Sequence, residues 1–313
     1  MTSQRAELVQ RYERELNRTI ATKPEFIAGL DSALQAHRGY AAGKIGVSEK
    51  QWLLYKILLD TQADRRQQFA HEQLLAQHWN VQSGLFPVER AFYARFTEAY
   101  VEHLLNLNCL GLFFDLPDHE MRIIHHFKPP AALVYFGDQE PDRSSPADDS
   151  RCYLPLFANK RLLLVSPYAS FLRDRANEAT FTRVWAKTGK GWFWPASVDA
   201  LEFPYGYEQA TQAKYGTALD LFDEIVERMS RLRFDIALIG AGGLGIPLAS
   251  AAKKMGKVGL SLGGHLQTIF GVNGKRWRHR KCWQRRYFNE WWVDLPASYR
   301  PSTKQVSDGG AYW

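Results

Sequence analysis

The sequence predicts an α/β protein with a Rossmann-like parallel sheet in its C-terminal half and a mainly helical N-terminal third. Three observations carry that expectation. Apolar runs of strand length stand at 161–165, 235–239 and 258–262. Helical patterns separate these runs, and strands that are apolar on both faces and alternate with helices indicate parallel βαβ units covered on both sides. The third observation is the turn Gly240-Ala241-Gly242-Gly243-Leu244-Gly245, which follows one run directly and opens a helical pattern.

Taken in order, residues 5–38 read as two helices broken near Lys23-Pro24, because Leu8, Tyr12, Leu16 and Ile20 recur at fours and Pro24 stops the pattern. A glycine-bearing link, Gly39 to Gly46, follows. Residues 49–79 form a long helix or a pair of helices, and Pro87 opens another through Phe92, Phe96, Tyr100 and Leu104. Strand-length runs at 109–114 and 131–136 precede a turn-rich segment, Asp138 to Ser150, expected to be an ordered or semi-ordered loop and not a linker. A helical stretch to about Lys187 follows the run at 161–165. A strand and turn lie within 192–206, and one helix spans about 209–231. The run at 235–239 leads through the glycine turn into a helix over Ile246 to Met255, and then into the run at 258–262. There is no internal repeat and no low-complexity tract.

Composition narrows the class. The 313 residues are 45% hydrophobic and 23% charged, which excludes a disordered or collagen-like chain. Three scattered cysteines, Cys109, Cys152 and Cys282, give no disulfide framework and no C-x-x-C chemistry, so a cytoplasmic setting is expected. The N-terminus has no signal-peptide core, and no run reaches the ~18 apolar residues of a spanning helix. The net charge of +7 has a local origin. Seven of the 40 Lys and Arg fall in 275–286, and the remainder balance the 33 acids.

The glycine turn has the chemistry of a phosphate cradle, since glycines let backbone N–H groups approach a diphosphate at a helix N-terminus. A nicotinamide or flavin site would also need an acidic residue ~20 positions on, at the end of the next strand. Leu260-Ser261-Leu262-Gly263-Gly264 supplies none, so neither NAD nor flavin is expected. The diphosphate of another ligand and a ligand-free tight turn both stay open. A second turn, Gly263-Gly264-His265-Leu266-Gln267, follows the next strand, so both turns face the crevice at the carboxyl ends of the strands. His265 and Gln267 are expected to point into that crevice, and Arg276 with Trp277 to close over it.

Residues 235–277, followed by Asn289-Glu290-Trp291-Trp292 and the closing Gly309-Gly310-Ala311-Tyr312-Trp313, resemble proteins of bacterial surface-polysaccharide gene clusters. These are similar to glycosyltransferases of the GT-D fold. A further likeness lies in Lys44-Ile45-Gly46-Val47-Ser48-Glu49, which sits like the signature R-F-G-D-G-E, and in Gly84-Leu85-Phe86-Pro87. The resemblance implies a transferase that moves a sugar from a nucleotide-sugar donor to a saccharide or lipid-linked acceptor. Residues 1–108 would then be a helical region contributing Glu49, and 109–313 a nucleotide-sugar-binding domain with a basic extension, together one integrated unit.

The donor would lie over Gly46, Gly240, Gly242, Gly243, Gly245, Gly263, Gly264 and Gln267, with Lys275, Arg276 and Trp277 on or near its phosphates. Glu49 and His265 are the catalytic candidates. The family signature implies Mn²⁺ or Mg²⁺, but its Asp position is Val47 here, and the remaining Glu49, the only candidate ligand, is a poor metal site alone. Glu49 therefore reads as a base, as a ligand or as a plain helix cap. A non-catalytic nucleotide- or sugar-binding scaffold subunit is the alternative function.

Other motifs are weaker. His125-His126 lacks partners at ligand spacing, and neither Ser166 nor Ser261 lies in a G-x-S-x-G elbow. Trp192-Phe193-Trp194 and Tyr205-Gly206-Tyr207 are either stacking surfaces for a sugar or base, or packing at the core edge. The basic run 275–286, interleaved with Trp277, Trp283 and Tyr287, suits an anionic membrane surface at the inner face of the plasma membrane. Nucleic acid is a less suitable partner, because no nucleic-acid-binding motif accompanies the run.

Overall fold

The computed structural model describes residues 3–143, 152–302 and 310–312. The helices are α1 (Ser3–Leu16), α2 (Lys23–Gln35), α3 (Val47–Asp60), α4 (Arg65–Ser83), α5 (Arg90–Leu105), α6 (Pro117–Phe127), α7 (Ala169–Arg175), α8 (Glu178–Val184), α9 (Gln209–Tyr215), α10 (Ala218–Ser230), α11 (Gly245–Lys254), α12 (His265–Ile269), α13 (Lys275–Arg278) and α14 (Lys281–Arg286). Eight strands form one sheet: β1 (Ile20–Ala21), β2 (Tyr40–Lys44), β3 (Cys109–Leu112), β4 (Ala132–Tyr135), β5 (Arg161–Val165), β6 (Ser197–Leu201), β7 (Ile236–Ile239) and β8 (Val258–Ser261). A separate parallel pair joins β9 (Val272–Asn273) to β10 (Val293–Asp294).

The large sheet runs β1-β4-β3-β2-β8-β7-β5-β6, with every neighbouring pair parallel. It is an α/β parallel sheet, as the apolar runs predict, but it is not confined to the C-terminal half. Strands β1 to β4 all precede residue 136, and the expected link Gly39 to Gly46 contains the central strand β2, which pairs with β8 through Ala42↔Leu260 and with β3 through Ala42↔Cys109. The sheet therefore runs through the expected division at residue 108.

Both faces are buried. On one face Leu163, Val165, Ala237 and Ile239 join a core with α3, α4, α5 and α11, and on the other Leu162, Leu164, Ile236 and Leu238 pack with α2, α7, α8 and α12. Alternate strand residues thus enter opposite cores, which is why these strands carry no polar face.

Local chemistry sets the helix ends. Pro24 lies in the first turn of α2, which it opens and does not merely interrupt, behind a Thr22–Glu25 capping box. Asp64 caps α4, and Gly84 ends it in the left-handed region. The single helix expected over 209–231 is two, because Gly216 sits at φ +70 and Thr217 with Asp220 caps the second. Of the expected loop Asp138 to Ser150, residues 138–139 and 141–143 lie in two short 3₁₀ turns with Glu140 extended between them; 144–150 lie outside the described residues, as do Gly309 and Trp313 of the closing run.

Candidate functional site

The carboxyl ends of β2, β3, β4, β7 and β8 converge on an open cleft of about 400 Å³. Gly46, Glu49, Gly242, Gly243, Gly263, Gly264, His265 and Arg276 all line it, so most of the expected site residues meet although more than 200 positions separate some of them. β2 delivers Lys44 and the start of α3, with Gly46 as its N-cap and Glu49 in its first turn. β7 and β8 deliver the two glycine turns. Gly242 (φ +51) and Gly263 (φ +55) hold backbone conformations that glycine adopts without strain.

Several expected site residues have other positions. Gly240 opens toward a smaller neighbouring pocket, and a Cβ on Gly245 would lie 2.4 Å from Ser261 Oγ, so Gly245 serves close packing of α11 on β8. Gln267 is fully buried and does not face the crevice. It accepts from Tyr168 Oη at 2.9 Å and donates to the carbonyls of Asn273 (2.6 Å) and Tyr312 (3.1 Å). Trp277 is also buried, packed edge-on to His265 at 5.5 Å, and so does not close over the cleft. Lys275 is exposed and lies outside the cleft lining. Trp283 and Tyr287 are buried too, so the aromatic residues of 275–287 are core while most of the basic side chains there face outward.

Glu49 is half-buried. Burial pushes its carboxyl up to about 7, against the opposing pull of backbone hydrogen bonds from Glu49 and Gly46 and of the Lys50 and Lys44 charges. Its carboxylate folds back over its own N-cap, where a Cβ on Gly46 would lie 2.6 Å from Oε2. It is therefore both a helix cap and a group that titrates near neutrality in the cleft.

His265 lies between two carboxylates, with Nδ1 2.6 Å from Asp142 Oδ2 and Nε2 2.9 Å from Glu140 Oε1. Burial opposes a charged ring, but Asp142 and Glu140 outweigh it and raise the imidazole above its ordinary pKa. With a carboxylate at each ring nitrogen, both nitrogens donate and the ring is an imidazolium. Lys44 Nζ shares Glu140 Oε1 at 2.6 Å, and Thr268 Oγ1 donates to Asp142 at 2.8 Å.

Among the described residues, Glu140, Asp142 and His265 are the one trio whose ligand atoms cluster, all within 4.8 Å, and this trio could hold a metal ion. The metal candidate thus moves from Glu49 to this trio. As the side chains stand, Lys44 and protonated His265 already balance the two carboxylates.

Lys44, Glu140 and Asp142 are the functional candidates that the sequence reading misses. The available signal was Glu140-Pro141-Asp142 itself, a pair of acids just beyond a strand-length apolar run and so at the ligand edge of the sheet.

The flanks of the cleft are aromatic. Phe113 and Phe136 stack at 4.1 Å on one side, and Arg276 lies over the Tyr312 ring at 5.1 Å on the other. The smaller pocket, about 70 Å³, adjoins it through Gly242, Gly263, Gly264 and Tyr312, and is walled by Tyr168, Phe203, Tyr205 and Tyr207. It sits where the chain leaves β5 toward β6 and β7 toward β8 in opposite directions, a topological switch point. Tyr205 and Tyr207 stack on each other at 5.1 Å. Trp192 and Phe193 belong to the core edge, and Trp194 is exposed.

Comparison with known families, with curated proteins and with solved structures finds no match. Among the described residues no helix is long and apolar enough to cross a membrane.

Proposed function

We propose that this chain is a glycosyltransferase of bacterial surface-polysaccharide assembly, moving a sugar from a nucleotide-sugar donor to a saccharide or lipid-linked acceptor. The observation that carries the reading is the meeting, in one cleft at the carboxyl edge of a parallel sheet, of two glycine turns, Arg276 and a carboxyl poised near neutrality. The diphosphate would lie against the Gly242-Gly243 and Gly263-Gly264 turns. As the sugar–phosphate bond breaks and the acceptor oxygen bonds to the anomeric carbon, Glu49 takes the acceptor hydroxyl's proton. Arg276 and the backbone N–H groups of the two glycine turns face the charge left on the diphosphate. His265 is a fixed positive charge and not the base. Mn²⁺ or Mg²⁺, if held by Glu140, Asp142 and a His265 ring that has released a proton, would neutralise the same charge; no step above is routed through it. The outward basic side chains of 275–286 suit an anionic membrane that presents lipid-linked acceptors.

Val47, 53% exposed in the cleft where the family pattern has Asp, favours a second reading, a nucleotide-binding scaffold subunit without turnover. Calorimetry with UDP, GDP, CDP and ADP, with and without Mn²⁺, followed by transfer assays on the wild type and Glu49→Gln, separates the two. Binding with transfer that Glu49→Gln abolishes supports the enzyme, binding without transfer supports the scaffold, and no binding by any nucleotide sinks both.

A further inference from the structure

Helix α14 turns Trp283 inward and Lys281, Gln284 and Arg285 outward, and the chain that leaves it is held along α8. Lys187 donates to the carbonyls of Gln284 and Phe288, and Asn289 Nδ2 donates to the carbonyl of Arg183 at 3.0 Å. The Arg183 guanidinium lies over the Trp291 ring, 4.3 Å from its centroid. The outer sides of α8, α14 and Trp291 therefore form one surface. At the cleft this surface begins with Arg280, which lines the cleft as Arg276 does.

Residues 275–286 supply seven basic residues and α8 adds Arg183 and Lys187, against the acids Glu178, Glu290 and Asp294. Asp294 is already paired with Arg278. Arg183, Lys187, Arg280, Lys281, Arg285 and Arg286 are all exposed, and among the described residues none of the six is in an ion pair. Like charges held together without acidic partners repel one another, and a partner of opposite charge removes that cost. The aromatic residues indicate which partner. A nucleic-acid strand is gripped by rings that stack on its bases, but Trp277, Trp283 and Tyr287 are buried and Arg183 covers one face of Trp291. An anionic bilayer needs no base reader. It presents a broad layer of negative charge, and Trp291, 42% exposed beside basic side chains, is the kind of residue that settles at headgroup level.

We propose that the face formed by α8, α14 and Trp291 docks on an anionic lipid bilayer and so sets the rim of the cleft at Arg280 against the membrane surface. The docking rests on charge and exposure alone. The further step, that the cleft takes a lipid-linked acceptor from that surface, rests on the transferase reading.

The test is cosedimentation of the full chain with vesicles of phosphatidylcholine alone and of phosphatidylcholine mixed equally with phosphatidylglycerol, with calorimetry on UDP, GDP, CDP and ADP in parallel. The chain should pellet with the mixed vesicles and not with phosphatidylcholine, and added salt should release it. One basic residue near such a surface contributes about fivefold in affinity. The double variant Lys281→Gln with Arg285→Gln should therefore bind the mixed vesicles roughly twentyfold to thirtyfold more weakly, with melting temperature and nucleotide binding unchanged. Trp291→Ala should also weaken vesicle binding. No binding to the mixed vesicles, equal binding to both kinds, or binding that the double variant leaves unchanged would overturn the proposal. So would tighter binding of a single-stranded or duplex oligonucleotide that the double variant abolishes, which would make this face a nucleic-acid surface. Vesicle binding without nucleotide binding would leave the docking face standing and remove the transferase reading. Nucleotide binding without vesicle binding would remove the docking face and leave a transferase whose acceptor comes from solution.

Discussion

Replacing Glu49 by Gln separates a carboxyl that works in the cleft from one that only caps α3. The folded state raises the carboxyl from 4.5 to about 7, so between those values the folded protein holds a proton that the unfolded chain releases. Stability from this group is therefore fully present below pH 4.5 and is lost as pH rises through about 7. At pH 8 the ionised carboxylate costs the fold at most about 3 kcal/mol, and roughly half of that once water in the open cleft screens it. Gln carries no charge yet keeps an oxygen that accepts from the Gly46 backbone. The variant should thus melt about 2–5 °C above wild type at pH 8, with the gap closing toward pH 5. Calorimetric scans across that range measure it. In the same variant transfer should vanish, and the wild-type rate should rise with pH along a limb centred near 7. A variant less stable than wild type at pH 8 would mean that Glu49 is an ionised cap of ordinary pKa, and the assignment as base would fall with it.

Arg276→Ala should leave the melting temperature near wild type and weaken nucleoside-diphosphate binding by roughly tenfold to a hundredfold, the loss of a charge-assisted hydrogen bond, as read by calorimetry. Gln267→Leu should behave oppositely. It strands the carbonyls of Asn273 and Tyr312 and the hydroxyl of Tyr168, costing about 2–3 kcal/mol in denaturant unfolding and loosening the closing segment. Nucleotide affinity should survive treatment with EDTA, because Lys44 and His265 already neutralise Glu140 and Asp142. A loss of about tenfold or more that Mn²⁺ restores would show that a metal, and not these two cations, balances the site.

The difference between what the sequence conveys and what it hides lies largely in β2. Tyr40-Ala41-Ala42-Gly43-Lys44 reads as a link because it lacks the branched, bulky residues that mark β5, β7 and β8. Its small residues have a tertiary cause. Helix α11 lies close against this strand and β8: a Cβ on Gly43 would come within 2.7 Å of Ile246, and one on Gly259 within 2.4 Å of the Ala249 carbonyl. Only glycine permits that approach, so the most central strand has the weakest strand signal. The same close packing carries Gly46 and Glu49 to the glycine turns, because a strand in the middle of the sheet must end where β7 and β8 end. The glycine turns were legible since their function is local, a change of chain direction between a strand and a helix. Glu140, Asp142 and Lys44 were not, because an ion-pair network with His265 depends on three separate strands ending at one edge. Gln267 and Trp277 show the converse error. Polar and aromatic residues beside a glycine turn look like ligand contacts in one dimension, yet here Trp277 packs edge-on to His265 and Gln267 holds the carbonyl of Tyr312, whose ring lies at the rim of the cleft under Arg276.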